Sequence, residues 1–282
     1  PARLALKGTS LALTDLAGAV SFTAEGVTRS RVLGRFIGRP LTLDLARIRD
    51  PKYPEGLTGL RIEGRSAVSE LSGHLPAPFW RHLEGEAPWE LAVRIPDPPP
   101  QAEASTLAAD FLLTSSLRGL AVKLPAPLGK PREAARPLRL AWAVAPGEDP
   151  RVRGHYDDLA LDLLFAADGR GGRELRRGSL AAGQEQTELP STEGLRITGH
   201  LGQLDVTRWL DWAASLPVAA ASGGPSWSLD GLRIDQLQLG DWRLRDVVLD
   251  LEQGTRTWEV QIESRELAGH LEIPRQSRPG PR

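Results

Sequence analysis

The chain has 282 residues, with 35 Lys plus Arg against 36 Asp plus Glu and a formal net charge of -1, so it lacks the basic excess of a nucleic-acid binder. Cysteine is absent, which excludes disulfides, thiolate metal sites and cysteine nucleophiles. No run approaches the roughly 18 apolar residues that span a bilayer, and the N-terminus lacks the charged-then-apolar pattern of a signal peptide.

Methionine is also absent, even at position 1, so a start at Pro1-Ala2-Arg3 is expected of a chain processed or cut from a longer one. Along the sequence the apolar residues recur with period two. They alternate at Leu41, Leu43 and Leu45, and then at Trp89, Leu91, Val93 and Ile95. Leu120, Val122 and Leu124 follow, then Leu138, Leu140, Trp142 and Val144, then Leu159, Leu161, Leu163 and Phe165. Trp258, Val260 and Ile262 close the series. Strict alternation marks strands with one apolar and one polar face, and the pattern outweighs the modest β-propensity of leucine. Roughly 14 strand candidates in antiparallel succession predict a mainly-β protein.

Glycine (29) and proline (23) are numerous, which implies many turns. Gly240-Asp241 fits a two-residue hairpin turn, and Gly254-Thr255-Arg256 divides two further strands in the same way. Helices are few. Short ones are expected near Ser66–Leu71 and Pro78–Leu83. Asp205 N-caps a third, with Trp209, Trp212, Ala213 and Leu216 at helical spacing before Pro217. Trp209, Trp212 and Leu216 should form its buried side. Pro96–Pro100 reads as a stiff connector and Ala221–Pro225 as a flexible one.

Catalytic signatures are missing: no G-x-S-x-G, HExxH, P-loop or GxGxxG stands in the chain. Of the five histidines, His74, His200 and His270 fall on the polar alternation, and His82 has no evident partner. His155 with Asp157 and Asp158 has carboxylate and imidazole ligands but no metal-site spacing, and a polar turn explains it equally. An enzyme is not expected, nor any cofactor or metal. Arg29, Arg31, Arg35 and Arg39, and Arg170, Arg173, Arg176 and Arg177, read as charges that keep strand edges and loop tips solvated. Eight tryptophans against only 5% aromatics in total stand apart. Trp89, Trp142, Trp242 and Trp258 all join apolar strand faces.

Short echoes recur. Gly-Leu-Arg-Ile stands at Gly59–Ile62, Gly194–Ile197 and Gly231–Ile234; Gly-His-Leu stands at Gly73–Leu75, Gly199–Leu201 and Gly269–Leu271. Each is expected at a strand start or end. They point to stacked hairpin units, rather than a sandwich, with approximate units 1–50, 51–145, 146–204 and 205–282 in one continuous segment 1–282.

The run Leu117-Arg118-Gly119-Leu120-Ala121-Val122-Lys123-Leu124-Pro125-Ala126-Pro127-Leu128-Gly129-Lys130, with Gly85–Trp89 upstream, resembles the YhdP branch of the AsmA-like, bridge-like lipid transfer family. So do Leu237-x-Leu239-Gly240, Trp258–Ser264 and Leu267–Leu271 with Pro274, and the opening stretch from Leu13 to Leu41. The resemblance covers about two thirds of the chain; Ala166–Gly183 matches nothing in it. It implies a fragment of a large envelope protein of a Gram-negative bacterium, periplasmic, anchored in the inner membrane through parts absent here. It implies a long, twisted antiparallel sheet forming a trough-like groove, and phospholipid moving between inner and outer membranes.

The residues agree with that implication. Some 14 strands at about 4.8 Å spacing extend roughly 65 Å, and so few helices cannot cover their apolar face. A sixteen-carbon acyl chain left in water costs on the order of 12 kcal/mol, so a transfer route needs an unbroken apolar path. The expected lining is Leu91, Val93, Leu120, Val122, Leu140, Trp142, Leu161, Leu163, Leu244, Leu249, Val260 and Ile262. The partners expected are phospholipid and the two membranes, with no nucleic acid, and free strand edges predict edge-to-edge self-association. The competing readings are an envelope scaffold without transport, and a carbohydrate-acting β protein, which would expose its tryptophans.

Overall fold

The computed structural model of the chain describes residues 2–5, 12–23, 26–51, 53–75, 78–97, 108–145, 147–169, 172–215, 225–254 and 257–274. Leu216, Arg170, most of the two connectors and Thr255-Arg256 lie outside them. The fold is mainly β: one large mixed sheet of 17 strands, with two α-helices and a separate two-stranded ribbon among the described residues. Contacts divide it into two compact units, Pro1–Lys123 with Lys130–Asp157, and Leu124–Gly129 with Asp158–Arg282.

In the first unit, β1 (Ala2–Ala5) and β2 (Ala12–Gly18) precede the ribbon of β3 (Phe22–Thr23) and β4 (Gly26–Val27). A meander follows: β5 (Ser30–Phe36), β6 (Arg39–Asp50), β7 (Tyr53–Ala67) and β8 (Leu83–Pro96). After it come β9 (Ala109–Ser115), the short β10 (Leu120–Val122), β11 (Leu138–Val144) and β12 (Arg151–Tyr156). The order is β1-β2-β5-β6-β7-β8-β9-β11-β12, every pairing antiparallel, with β10 joining the start of β8 beyond β9. Helix α1 (Val68–His74) and a 3-10 turn (Pro78–His82) interrupt the passage from β7 to β8. Glu70 starts α1 by accepting from the Ala67 N–H at 3.2 Å, a donor the helix itself leaves unpaired.

The second unit holds β13 (Leu159–Ala167), β14 (Arg173–Ala182), β15 (Gly194–Asp205), α2 (Val206–Ala214), β16 (Trp227–Leu239), β17 (Trp242–Gln253), β18 (Thr257–Glu263) and β19 (Ala268–Pro274). Its pairings correct the wholly antiparallel expectation. β14–β15 and β15–β16 are parallel, because the chain between them is a crossover rather than a tight turn. Residues 183–193 make the first crossover on the polar side of β13 and β14, where Asp162, Ser179, Ala160 and Ala181 are almost wholly buried. The hydroxyls of Ser179 and Thr187 meet at 2.6 Å, and Arg177 Nη1 donates to the Pro190 carbonyl at 3.3 Å. The opposite, leucine-bearing face of β13 stays half-buried.

The Gly-Leu-Arg-Ile copies all lie on strands, in β7, β15 and β16. One Gly-His-Leu copy does not: Gly73 and His74 end α1. Gly240 turns β16 into β17 with φ 59°, as its place in a two-residue turn requires.

Candidate functional site on the apolar sheet face

Strand register fixes which side chains stand beside one another, since directly paired residues share a face. In the first unit one such row runs Val32, Leu43, Ile62, Leu91, Leu113, Leu140 and Gly154. Beside it run Leu45, Leu60, Val93, Phe111, Trp142 and Val152. Phe111 and Trp142 stack with ring centroids 5.1 Å apart, and Phe36 meets Trp89 edge-on at 5.7 Å. Burial falls along the first row: Val32, Leu43 and Ile62 are buried in one cluster with Leu13 and Leu41, whereas Leu91, Leu113 and Leu140 are half-buried.

The second unit repeats the arrangement. Leu161, Leu180, Ile197, Leu229, Leu251, Val260 and Leu271 are paired in turn across seven strands. Leu163, Gly178, Leu195 and Trp227 form a flanking row, and Trp227 meets Trp258 at 5.0 Å. Leu249 pairs with Ile262 and packs with it against a buried cluster of Leu232, Ile234, Leu237, Leu244 and Val247. The last strand, β19, is exposed throughout, including Leu271 and Ile273.

Of the twelve expected lining residues, Leu91, Val93, Leu140 and Trp142 therefore share the face of the first unit, and Leu161, Leu163, Val260, Leu249 and Ile262 lie in the paired rows of the second. Leu244 belongs to the buried cluster instead. Leu120 and Val122 pack with Val68 of α1, Ala87, Trp80 and Leu83, a small core beside the main rows. Trp89, Trp142 and Trp258 are half-buried on the apolar side, but Trp242 is 66% exposed, because it stands at a hairpin tip that no further element among the described residues covers. Helix α2 forms where its cap predicts, the Asp205 carboxylate accepting from the Arg208 N–H at 3.1 Å. Trp209 and Trp212 are half-buried with rings 5.4 Å apart, and Trp209 Nε1 donates to the Ala126 carbonyl at 2.9 Å.

Charge gathers on the other side of the first unit. Arg31 pairs with Asp44 at 2.7 Å and Arg61 with Glu90 at 2.6 Å, on neighbouring strands. Beside α1, Arg39, which pairs with Phe36 at the end of the apolar side, joins Glu70 at 2.7 Å and Glu86 at 2.6 Å, and Arg65 reaches Glu86 at 3.1 Å. Hydrogen bonds from Arg39 hold both carboxyls below the usual carboxylate range, aided at Glu70 by the Ala67 N–H and at Glu86 by Arg65. Arg176 likewise meets Glu193 at 3.0 Å.

Sequence reasoning missed Lys130. Its ammonium is buried, and donates to the carbonyls of Leu117 at 2.9 Å, Pro131 at 3.0 Å and Leu120. An ammonium has three protons to donate, and burial pushes its pKa below the ordinary lysine value. The signal was a lysine inside the most specific stretch of the chain. His200 pairs with Asp235 at 2.7 Å on the surface. No cluster of three or more metal-ligating side chains occurs among the described residues, and no helix among them is long and apolar enough to cross a membrane.

The family described as YhdP protein matches residues 1–281. No curated protein and no solved structure matches the chain.

Proposed function

Because this chain belongs to the YhdP family, we propose that it is a non-enzymatic phospholipid conduit of the AsmA-like kind. It acts in the periplasm of a Gram-negative envelope, within a protein anchored in the inner membrane, and maintains the outer membrane by carrying lipid between the two. Acyl chains lie along the apolar rows while head groups stay at the polar margin. The observation that carries this reading is the paired run Leu161, Leu180, Ile197, Leu229, Leu251, Val260 and Leu271, apolar on seven strands in succession. No catalytic group is required, because a continuous apolar face replaces water around each methylene and lowers the cost of leaving a bilayer, about 0.8 kcal/mol for each.

A scaffold without transport is the second reading. It draws on the buried Val32, Leu43 and Ile62, which fill their part of the face with their own side chains. Native mass spectrometry of the purified chain separates the two. The conduit predicts co-purified phospholipid, and a consistently lipid-free protein from phospholipid-rich cells would favour the scaffold.

A further inference from the structure

Alternation in unbroken register keeps Arg39, Leu41, Leu43, Leu45 and Arg47 on one face of β6, since every second residue of a strand shares a face. The apolar strip of the first unit therefore ends in a guanidinium along either margin. The two margins differ. Arg39 is held between two carboxylates, Glu70 and Glu86. Arg47 stands opposite Thr58 and reaches across the strands to Asp97, its Nη1 2.7 Å from the carboxylate. Asp97 lies just past β8, two residues beyond Ile95, and its backbone N–H donates to the Gly56 carbonyl at 3.0 Å.

Two glycines make the room for this pair. A Cβ at Gly56, or at Gly26 of β4, would collide with the Arg47 guanidinium. The charges are thus laid close against backbone, with their outer side open: the Arg47 side chain is 29% and the Asp97 side chain 30% exposed. Leu45, Leu60 and Val93 form the next apolar row inward on the same face. The cross-strand pairs Arg31–Asp44 and Arg61–Glu90 stand on the opposite face. Arg47 and Asp97 bring both signs of charge to the apolar side.

We propose that this pair binds the head group of a zwitterionic phospholipid, one bearing a phosphate and a primary ammonium, while the acyl chains lie along the adjoining apolar rows. Arg47 offers its guanidinium fork to the phosphate oxygens, and Asp97 accepts from the ammonium. Parting Arg47 from Asp97 costs little, because a partly exposed ion pair is weak in water, and two charge-assisted contacts replace one. An anionic head group has no such match, since its phosphate would meet the Asp97 carboxylate with no cation of its own to offset it. The inference rests on the conduit reading and names the lipid class and the head-group contact.

The test measures binding to the purified chain of dihexanoyl phosphatidylethanolamine, dihexanoyl phosphatidylglycerol and dihexanoylglycerol, each kept monomeric. The first two share chains and phosphate, and only the first carries an ammonium. The unaltered chain should prefer it over the second by roughly tenfold, the gain expected of one charge-assisted hydrogen bond. Asp97→Asn should erase that preference and Asp97→Glu should retain part of it. Arg47→Gln should weaken both phosphate lipids towards dihexanoylglycerol, and Arg139→Gln should change none of them. A pair that only braces the strands would move all the lipids together. Circular dichroism checks that each variant folds, and the comparison on the unaltered chain needs no variant. If that chain binds the two phosphate lipids equally, or if Asp97→Asn keeps the preference, the head-group site is overturned while the conduit stands. If no lipid binds, the conduit itself fails. Phosphoethanolamine that binds as tightly as its lipid would overturn the lipid assignment in favour of a soluble zwitterion.

Discussion

Two aspartates in the left-handed region do what no alternating pattern can. Asp15 has φ 52° and Asp246 φ 51°, each between apolar residues three apart: Leu13 and Leu16, Leu244 and Val247. Strict alternation would put each pair on opposite faces, yet both members of each pair join one core cluster. Asparagine, aspartate and glycine tolerate that conformation, and a β-branched residue does not. Asp246→Val should therefore cost about 1–2 kcal/mol of unfolding free energy, while Asp246→Gly stays close to the parent; urea denaturation measures both. The signal is legible in Leu-Thr-Asp-Leu and Leu-Arg-Asp-Val, where period two breaks, and that break is what puts Leu244 on the side of Val247. Lys130 was not legible as a structural group, because only the fold shows that three carbonyls converge on it. Lys130→Met takes the ammonium from all three, leaving the Leu117 carbonyl only the Leu120 N–H at 3.2 Å, and should cost about 2–3 kcal/mol by the same measurement. The carboxyls of Glu70 and Glu86 are depressed by Arg39. Their contribution is present above the unfolded carboxylate range and is lost as pH falls through the lower folded values. Between pH 7 and pH 3 the urea midpoint of the parent should thus drop further than that of Arg39→Gln.

At the level of elements, period two located strands well wherever one face is apolar and the other polar. Leu138–Val144 and Thr257–Glu263 are strands with the expected side half-buried, except for the exposed Val144. It could not tell parallel from antiparallel neighbours, since both give the same alternation. The long stretch after Ala182 was the clue, because a hairpin needs only a few residues and a crossover needs many. Helix α2 was legible from its cap and its tryptophans. Asp205→Ala should lower stability by about 1 kcal/mol, read from the thermal midpoint, and should weaken far-ultraviolet ellipticity near 222 nm only as far as the helix frays.

The whole chain offers a collective function, in which no single side chain is indispensable. Leu140→Ala trims an apolar wall that fluid acyl chains refill, so transport should change little. Leu140→Asp or Val260→Asp places a charge where desolvation is costly, and should interrupt transport, whereas Arg139→Asp on the outward side should be nearly silent. Complementation of a strain lacking the full-length protein reads this out, with folding checked by circular dichroism. Equal activity for folded inward and outward variants would count against the conduit. The crossover that buries Asp162 and Ser179 carries a consequence in time. The β5–β8 meander can zip up between sequence neighbours, but β14 cannot join β15 until residues 183–193 have been laid across it, and β15 must wait for α2 and the chain beyond before meeting β16. Loop closure must come before those non-local contacts are rewarded. Pulse-labelled hydrogen exchange during refolding should therefore protect amides of β6 and β7 first, and those of β15 last.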